Sequence, residues 1–223
     1  LGDVYKRQVY NRAVEKGLTS QRFPFKHVYT GVDKTVKRAV PLKVIKRIKE
    51  MDFSMNPTFD FARDMFLMSF YTRGMSFVDM AYLRKKDLQN GVLSYRRRKT
   101  GQLLFIKWEK CMQEIVNKYD TSQSNYLLPI IKPFGDIDER KQYIYAAHNI
   151  NRCLKIIGKE LGLSVSLTLY VARHAWASIA KSKNVPLSVI SEGMGHDSEA
   201  TTRIYLASLD TMAIDKANSM ILK

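Results

Sequence analysis

The sequence predicts a mainly α-helical domain with a small antiparallel β-sheet, an α+β fold. Three observations predict it. From residue 109 onward, apolar residues recur almost throughout at helical spacing. Only residues 92–107 break the pattern, as two short β-prone runs around Thr100-Gly101. The 223 residues are 45% hydrophobic, enough for one full-sized core.

In chain order, Asp3–Gln8 reads like the translation of a transposon end used as a sequencing adapter. Residues 1–8 are therefore expected to be non-native, with the natural chain continuing upstream. Residues 9–17 read as the last turns of a helix closed by Gly17. A connector, Leu18–Val40, follows; Pro and Gly punctuate it and Lys, Arg and His enrich it, so it reads as a basic linker. A compact domain begins near Pro41, a suitable first helical residue, and Leu42, Ile45 and Ile48 keep a helical period. Residues 58–71 form a strongly apolar helix, expected at the centre of the core. Residues 76–86 form another, with Ser76 as candidate N-cap. Residues 92–98 and 102–107 make a hairpin turning at Thr100-Gly101. Helices are then expected over 109–119, 139–161, 168–183, 186–194, 198–208 and 211–221.

Lys and Arg total 37 against 21 Asp and Glu, a formal net charge of +16. A chain this basic is expected to work against a polyanion. Two cysteines, Cys111 and Cys153, exclude a disulfide framework and suit a reducing cytoplasm. Four scattered histidines give no metal-ligand spacing with the cysteines, so a structural zinc site is not expected. No run of about 18 apolar residues is present, so no membrane span is expected.

The strongest signal is at residues 170–205. Arg173-His174 opens an apolar helix, Met194-Gly195-His196 follows a helix end, Asp197 or Ser198 caps the next helix, and Tyr205 stands nine residues after His196. This order and spacing resemble the signature of the tyrosine recombinase, or phage integrase, family: His-x-x-Arg-His, then Leu-Gly-His, then a Thr-rich stretch ending in a nucleophilic tyrosine. The physical demand is plain. A phosphodiester anion resists attack, so its transfer needs charge neutralisation and in-line positioning. Arginine forks clamp two phosphate oxygens and stay charged. A phenol, with ordinary pKa near 10, needs roughly 4 kcal/mol to ionise at pH 7 unless cations or a base help.

The resemblance implies a role for each residue. Tyr205 is the nucleophile, Arg173 the second phosphate-clamping arginine, and His196 the histidine that hydrogen-bonds the scissile phosphate. Lys99, in Arg98-Lys99-Thr100-Gly101, matches the general-acid lysine of the family's hairpin. Two positions depart from the pattern. The first histidine is Tyr170, which shares a helix face with Arg173 and can hydrogen-bond phosphate but cannot act as an imidazole. The first arginine is Arg73 if three extra residues precede the helix, whereas a gap-free alignment puts Ser76 there. Arg73 is preferred, because losing a clamping charge is expensive. His174 reads as structural, and Trp176, Ile179 and Ala180 as core.

Since strand residues alternate faces, Arg96 and Arg98 point one way and Arg97 the other, and one set is expected to track phosphates. Arg96, Arg98 and the linker residues Lys34, Lys37 and Arg38 are the DNA-binding candidates. The resemblance further implies the DNA breaking-rejoining fold over residues 37–223, the tail of a truncated core-binding domain plus linker over 9–36, and strand cleavage through a 3′-phosphotyrosine without metal or ATP. The partners implied are double-stranded DNA and a homo-tetramer joined by exchange of helix 211–221, acting in the bacterial cytoplasm at the nucleoid. Tyr170 and the Arg73–Asp79 stretch are similar to integrases of Bacteroidetes mobile elements. Two alternatives remain open: a non-catalytic DNA-binding remnant, and a type IB topoisomerase-like enzyme with the same chemistry.

Overall fold

A computed structural model describes residues 2–27, 39–132 and 137–206, with the backbone alone at residues 2–4, 204 and 205. The chain divides into two compact units, residues 1–36 and 37–223. In the first, α1 (Gly2–Glu15) ends at Gly17, whose φ of +67° supplies the left-handed turn. The connector beyond it folds back on this helix: Tyr10 Oη donates to Ser20 O at 2.9 Å and accepts from Arg22 N at 2.8 Å. Lys34, Lys37 and Arg38 lie outside the described residues.

In the second unit, α2 (Leu42–Glu50) begins one residue later than expected, with Pro41 at its N-cap, and buries Val44, Ile45 and Ile48. Helix α3 (Pro57–Tyr71) is central, as its apolar sequence predicts. It packs against α2, α5, α6 and α7, and Met65, Phe66 and Met68 are fully buried. Its start is capped by Asn56, whose side chain accepts from Phe59 N at 3.3 Å, with Pro57 at the first helical position.

The expected helix over 76–86 is shorter. Helix α4 is Phe77–Ala81, capped by Ser76, and the chain then tightens into a 3-10 turn at Lys85–Asp87. Asp87 Oδ2 accepts from Arg84 N at 2.8 Å, stabilising that turn in place of another α-helical one. The turn leads into a two-residue strand that the sequence reading missed. The sheet has order β1 (Leu88–Gln89), β2 (Val92–Arg96), β3 (Leu103–Lys107), all antiparallel. Leu93, Tyr95, Leu104 and Ile106 point into the core, while Leu103 and Phe105 stay exposed. The hairpin strands end earlier than expected, leaving residues 97–102 as a loop closed by Arg97 N to Gln102 O at 2.8 Å and Gly101 N to Arg97 O at 2.7 Å.

The remaining helices follow the expected order: α5 (Lys110–Asn117), α6 (Glu139–Glu160), α7 (Leu169–Ser182), α8 (Leu187–Met194) and α9 (Glu199–Leu206). Helix 211–221 lies outside the described residues. Helix α7 serves two apolar clusters. Val171, Ala172 and Ala175 join the main core. Ala177 and Ala180 join a smaller one with Ile190, Met194 and Leu206, against which Trp176 packs, so the core reading of Trp176 and Ala180 holds.

Candidate active site

Two helix ends and a hairpin loop build the site. Helix α3 ends in a left-handed turn: Arg73 has φ +61°, Gly74 has φ +75°, and Gly74 N donates to Ser69 O at 2.8 Å. Glycine ordinarily takes the position of Arg73, because a Cβ there costs about 1–2 kcal/mol. Gly74 cannot be otherwise, since an added Cβ would lie 2.7 Å from Arg173 Cα. Helix α8 ends the same way. Gly195 has φ +65°, and His196 N donates to Ser191 O at 3.0 Å.

Arg173, on α7 and buried, ties these two turns together. Nη1 donates to Gly74 O and Nη2 to Met194 O, both at 2.7 Å. Nη2 also lies 3.0 Å from His196 Nε2. The far side of that imidazole meets Thr202 Oγ1 at 2.7 Å, and Thr202 is fully buried on α9, three residues before position 205. Ser198 Oγ accepts from Thr201 N at 3.4 Å and so caps α9, resolving the choice between Asp197 and Ser198.

Arg73 is half-buried and its Cδ reaches toward Gly193, 3.6 Å from where a Cβ there would stand. Ser76, the competing position, has its hydroxyl engaged with Asp79, donating to Oδ2 at 2.6 Å and accepting from Asp79 N at 3.3 Å. Burial is the main reason the Tyr95 phenol is pushed up to about 12, and Asp79 adds to it. The guanidiniums of Arg173, Arg97 and Arg73 pull the other way, which puts all three arginines within electrostatic reach of one residue. The His196 imidazole is held down at about 4, first by burial and then by the charges of Arg173, Arg97 and Lys99.

Lys99 is exposed near the tip of the hairpin loop. Tyr170 stands apart from the hydrogen-bonded cluster. It is 60% exposed, and its ring stands edge-on to His174 with centroids 4.5 Å apart. Buried His174, expected to be structural, sits beneath it. Arg96 donates to Gly101 O, while Arg98 stacks its guanidinium 3.9 Å from the Tyr82 ring centroid. Sequence reasoning passed over Arg97, which is buried and donates to Gly195 O. The signal was present: Leu93, Tyr95 and Arg97 continue one inward face at a period of two.

The profile of the Phage integrase family matches residues 42–212, which span every element of this site. The chain belongs to the phage integrase family. No curated protein sequence matches it. Solved structures of integrases and recombinases share its fold. XerA recombinase aligns with TM-score 0.54 and 20% identity over 80% of this chain and 66% of that one. XerH site-specific recombinase, in a post-cleavage complex with a palindromic difH substrate, aligns with TM-score 0.62 and 17% identity over 88% and 56%. A lambda integrase tetramer bound to a Holliday junction aligns with TM-score 0.56 and 15% identity over 89% and 56%. The chain thus spans between about half and two thirds of the length of these recombinases. Among the described residues, no group of three or more His, Cys, Asp and Glu is placed to hold a metal, and no helix is long and apolar enough to cross a membrane.

Proposed function

We propose that this chain is the catalytic part of a tyrosine site-specific DNA recombinase. The observation that carries the reading is the bonding of Arg173 to both helix-end turns and to His196, which Thr202 in turn ties to the helix bearing Tyr205. A scissile phosphate bound there meets arginines that neutralise its charge and that of the transition state. Tyr205 Oη attacks phosphorus, its proton leaves to solvent, and the bond to O5′ breaks. Lys99 gives O5′ a proton. The products are a 3′-phosphotyrosine and a free 5′-hydroxyl. A second 5′-hydroxyl attacks the phosphotyrosine and restores Tyr205. Bond energy is kept in the intermediate, so the cycle needs no ATP.

Arg73 acts in this reading as the first clamping arginine, and Tyr170 reaches a phosphate from the exposed rim of the site. Residues 9–36 belong to the tail of a core-binding domain and its linker, with Lys34, Lys37 and Arg38 tracking the duplex beside Arg96 and Arg98. Helix 211–221 is exchanged between neighbours in a tetramer, as the tetrameric state of lambda integrase on a Holliday junction suggests. The free thiols of Cys111 and Cys153 suit a bacterial cytoplasm.

The test is a pool of nicked duplexes of randomised sequence, incubated with the protein and run on a denaturing gel. A covalent adduct that disappears in Tyr205→Phe supports the proposal. DNA binding with no adduct favours a non-catalytic remnant, and supercoil relaxation without strand exchange favours a topoisomerase.

A further inference from the structure

Arg97 has no role in the reaction just described, yet it is the best-buried arginine of its hairpin. Its guanidinium is turned away from solvent onto a backbone carbonyl, Gly195 O, directly before His196. The contact is broad. A Cβ added to Gly195 would meet Leu104 Cδ1 at 2.8 Å, Arg97 Cδ at 3.2 Å and Gln102 Oε1 at 3.3 Å. Residues from both sides of the hairpin loop therefore seat on the turn that presents His196. The loop has one further anchor nearby, the donation of Arg98 N to Asp79 Oδ1 at 2.9 Å. Two of its own side-chain oxygens, Thr100 Oγ1 and Gln102 Oε1, are buried without a hydrogen-bond partner among the described residues. The loop is thus incompletely satisfied by its own polar groups and depends on its tethers. Lys99 rides on it, two residues from Arg97.

We propose that Arg97 is a positioning residue that locks the Lys99 loop onto the Gly195–His196 turn, so that the proton donor and the phosphate clamp hold one geometry. The inference rests on the recombinase reading for its chemistry, but the tether itself does not. As the bond from phosphorus to O5′ breaks and the bond to Tyr205 Oη forms, O5′ takes its proton from Lys99 Nζ. A loop that swings away removes that proton and leaves the arginine clamp in place. The defect therefore belongs to the leaving group, and replacing O5′ by sulfur cures it, because a thiolate departs without being protonated.

Two measurements test this. The first uses a nicked duplex recovered from the adduct assay, made with oxygen or with sulfur at the bridging 5′ position. Arg97→Met is expected to slow adduct formation about a hundredfold on oxygen, and to come within a few-fold of wild type on sulfur, as Lys99→Ala does. Arg97→Lys, which keeps one donor, falls between. If Lys99→Ala recovers on sulfur and Arg97→Met does not, or if Arg97→Met is unimpaired on oxygen, the positioning role is wrong. If Lys99→Ala fails to recover, the general-acid assignment is what fails. The second needs no DNA. Nitroxides on Lys99→Cys and Ser198→Cys, in a Cys111→Ser background, report the distance from loop to turn by electron spin resonance. Arg97→Met should broaden that distribution and Lys107→Met, at the far end of β3, should not. An unchanged distribution in Arg97→Met overturns the tether, whether or not the protein cleaves DNA.

Discussion

Nη2 of Arg173 lies 3.0 Å from Nε2 of His196, across 23 residues of chain. A guanidinium only donates, so Nε2 accepts, and the imidazole proton sits on Nδ1, facing Thr202 Oγ1. Binding a phosphate through Nε2–H then requires the other tautomer or a second proton. The anion itself favours that change, since it offsets the positive charge that disfavours protonation here.

A pH dependence follows. The folded His196 imidazole protonates only near 4, against an ordinary 6.5, so between those values the unfolded chain binds a proton that the folded chain refuses. Stability from this residue is complete above about 6.5 and is lost as pH falls toward 4. Urea melts across that range should show the wild type losing more stability than His196→Asn. Parallel curves would contradict the assignment.

Arg173→Lys should be severe although the charge is kept. One ammonium cannot reproduce the fork that reaches Gly74 O, Met194 O and His196 together. Adduct formation in a single turnover is expected to fall by about a hundred- to a thousandfold.

The glycines separate two kinds of cost. Gly74→Ala and Gly91→Ala both force a side chain into a left-handed conformation, but only Gly74 faces a backbone atom, Arg173 Cα, while Gly91 has open space. Gly91→Ala is expected to cost about 1 kcal/mol and Gly74→Ala at least about 3 kcal/mol, read from urea midpoints. Equal effects would mean that the approach of α7 to the α3 turn is loose.

Asp64 offers a stability test away from the site. Its buried carboxylate accepts from Arg63, Lys118 and the Tyr119 hydroxyl, the last at 2.8 Å. Burial, and then that bond, pushes the Tyr119 phenol well above its ordinary range. Asp64→Ala leaves Arg63 and Lys118 to share Asp60 alone and takes the acceptor from the Tyr119 hydroxyl, and should cost about 1–3 kcal/mol in a denaturant melt. The adduct rate of the remaining folded protein should be unchanged.

Much of this was legible in the sequence. The described helices from 109 onward announced themselves by period, and the meeting of Arg173 with His196 by their place in one motif. What could not be read depended on geometry between elements. Leu88-Gln89 is too short to carry a strand pattern and becomes one only by pairing with Leu93 and Val92. Arg73 and Ser76 were rivals on the linear chain because the left-handed turn closing α3 and the cap opening α4 consume the intervening residues. Alternation set Arg97 on the face opposite Arg96 and Arg98, and only the opposing Gly195 shows that this face is the inward one. Tyr170 shares a helical face with Arg173 by spacing, yet its ring stays on the solvent side while Arg173 turns inward.

Because α7 is shared between a large apolar cluster and a small one, the molecule has a seam along its own backbone. Among the described residues the smaller cluster gathers Ile190, Met194 and Leu206 from α8 and α9, so the end that carries His196 and position 205 is expected to open before the main core does. Amide deuteration should therefore reach α8 and α9 well before α3. In the recombinase reading proposed above, an end that loosens independently carries its DNA strand to the partner without unfolding what grips the duplex.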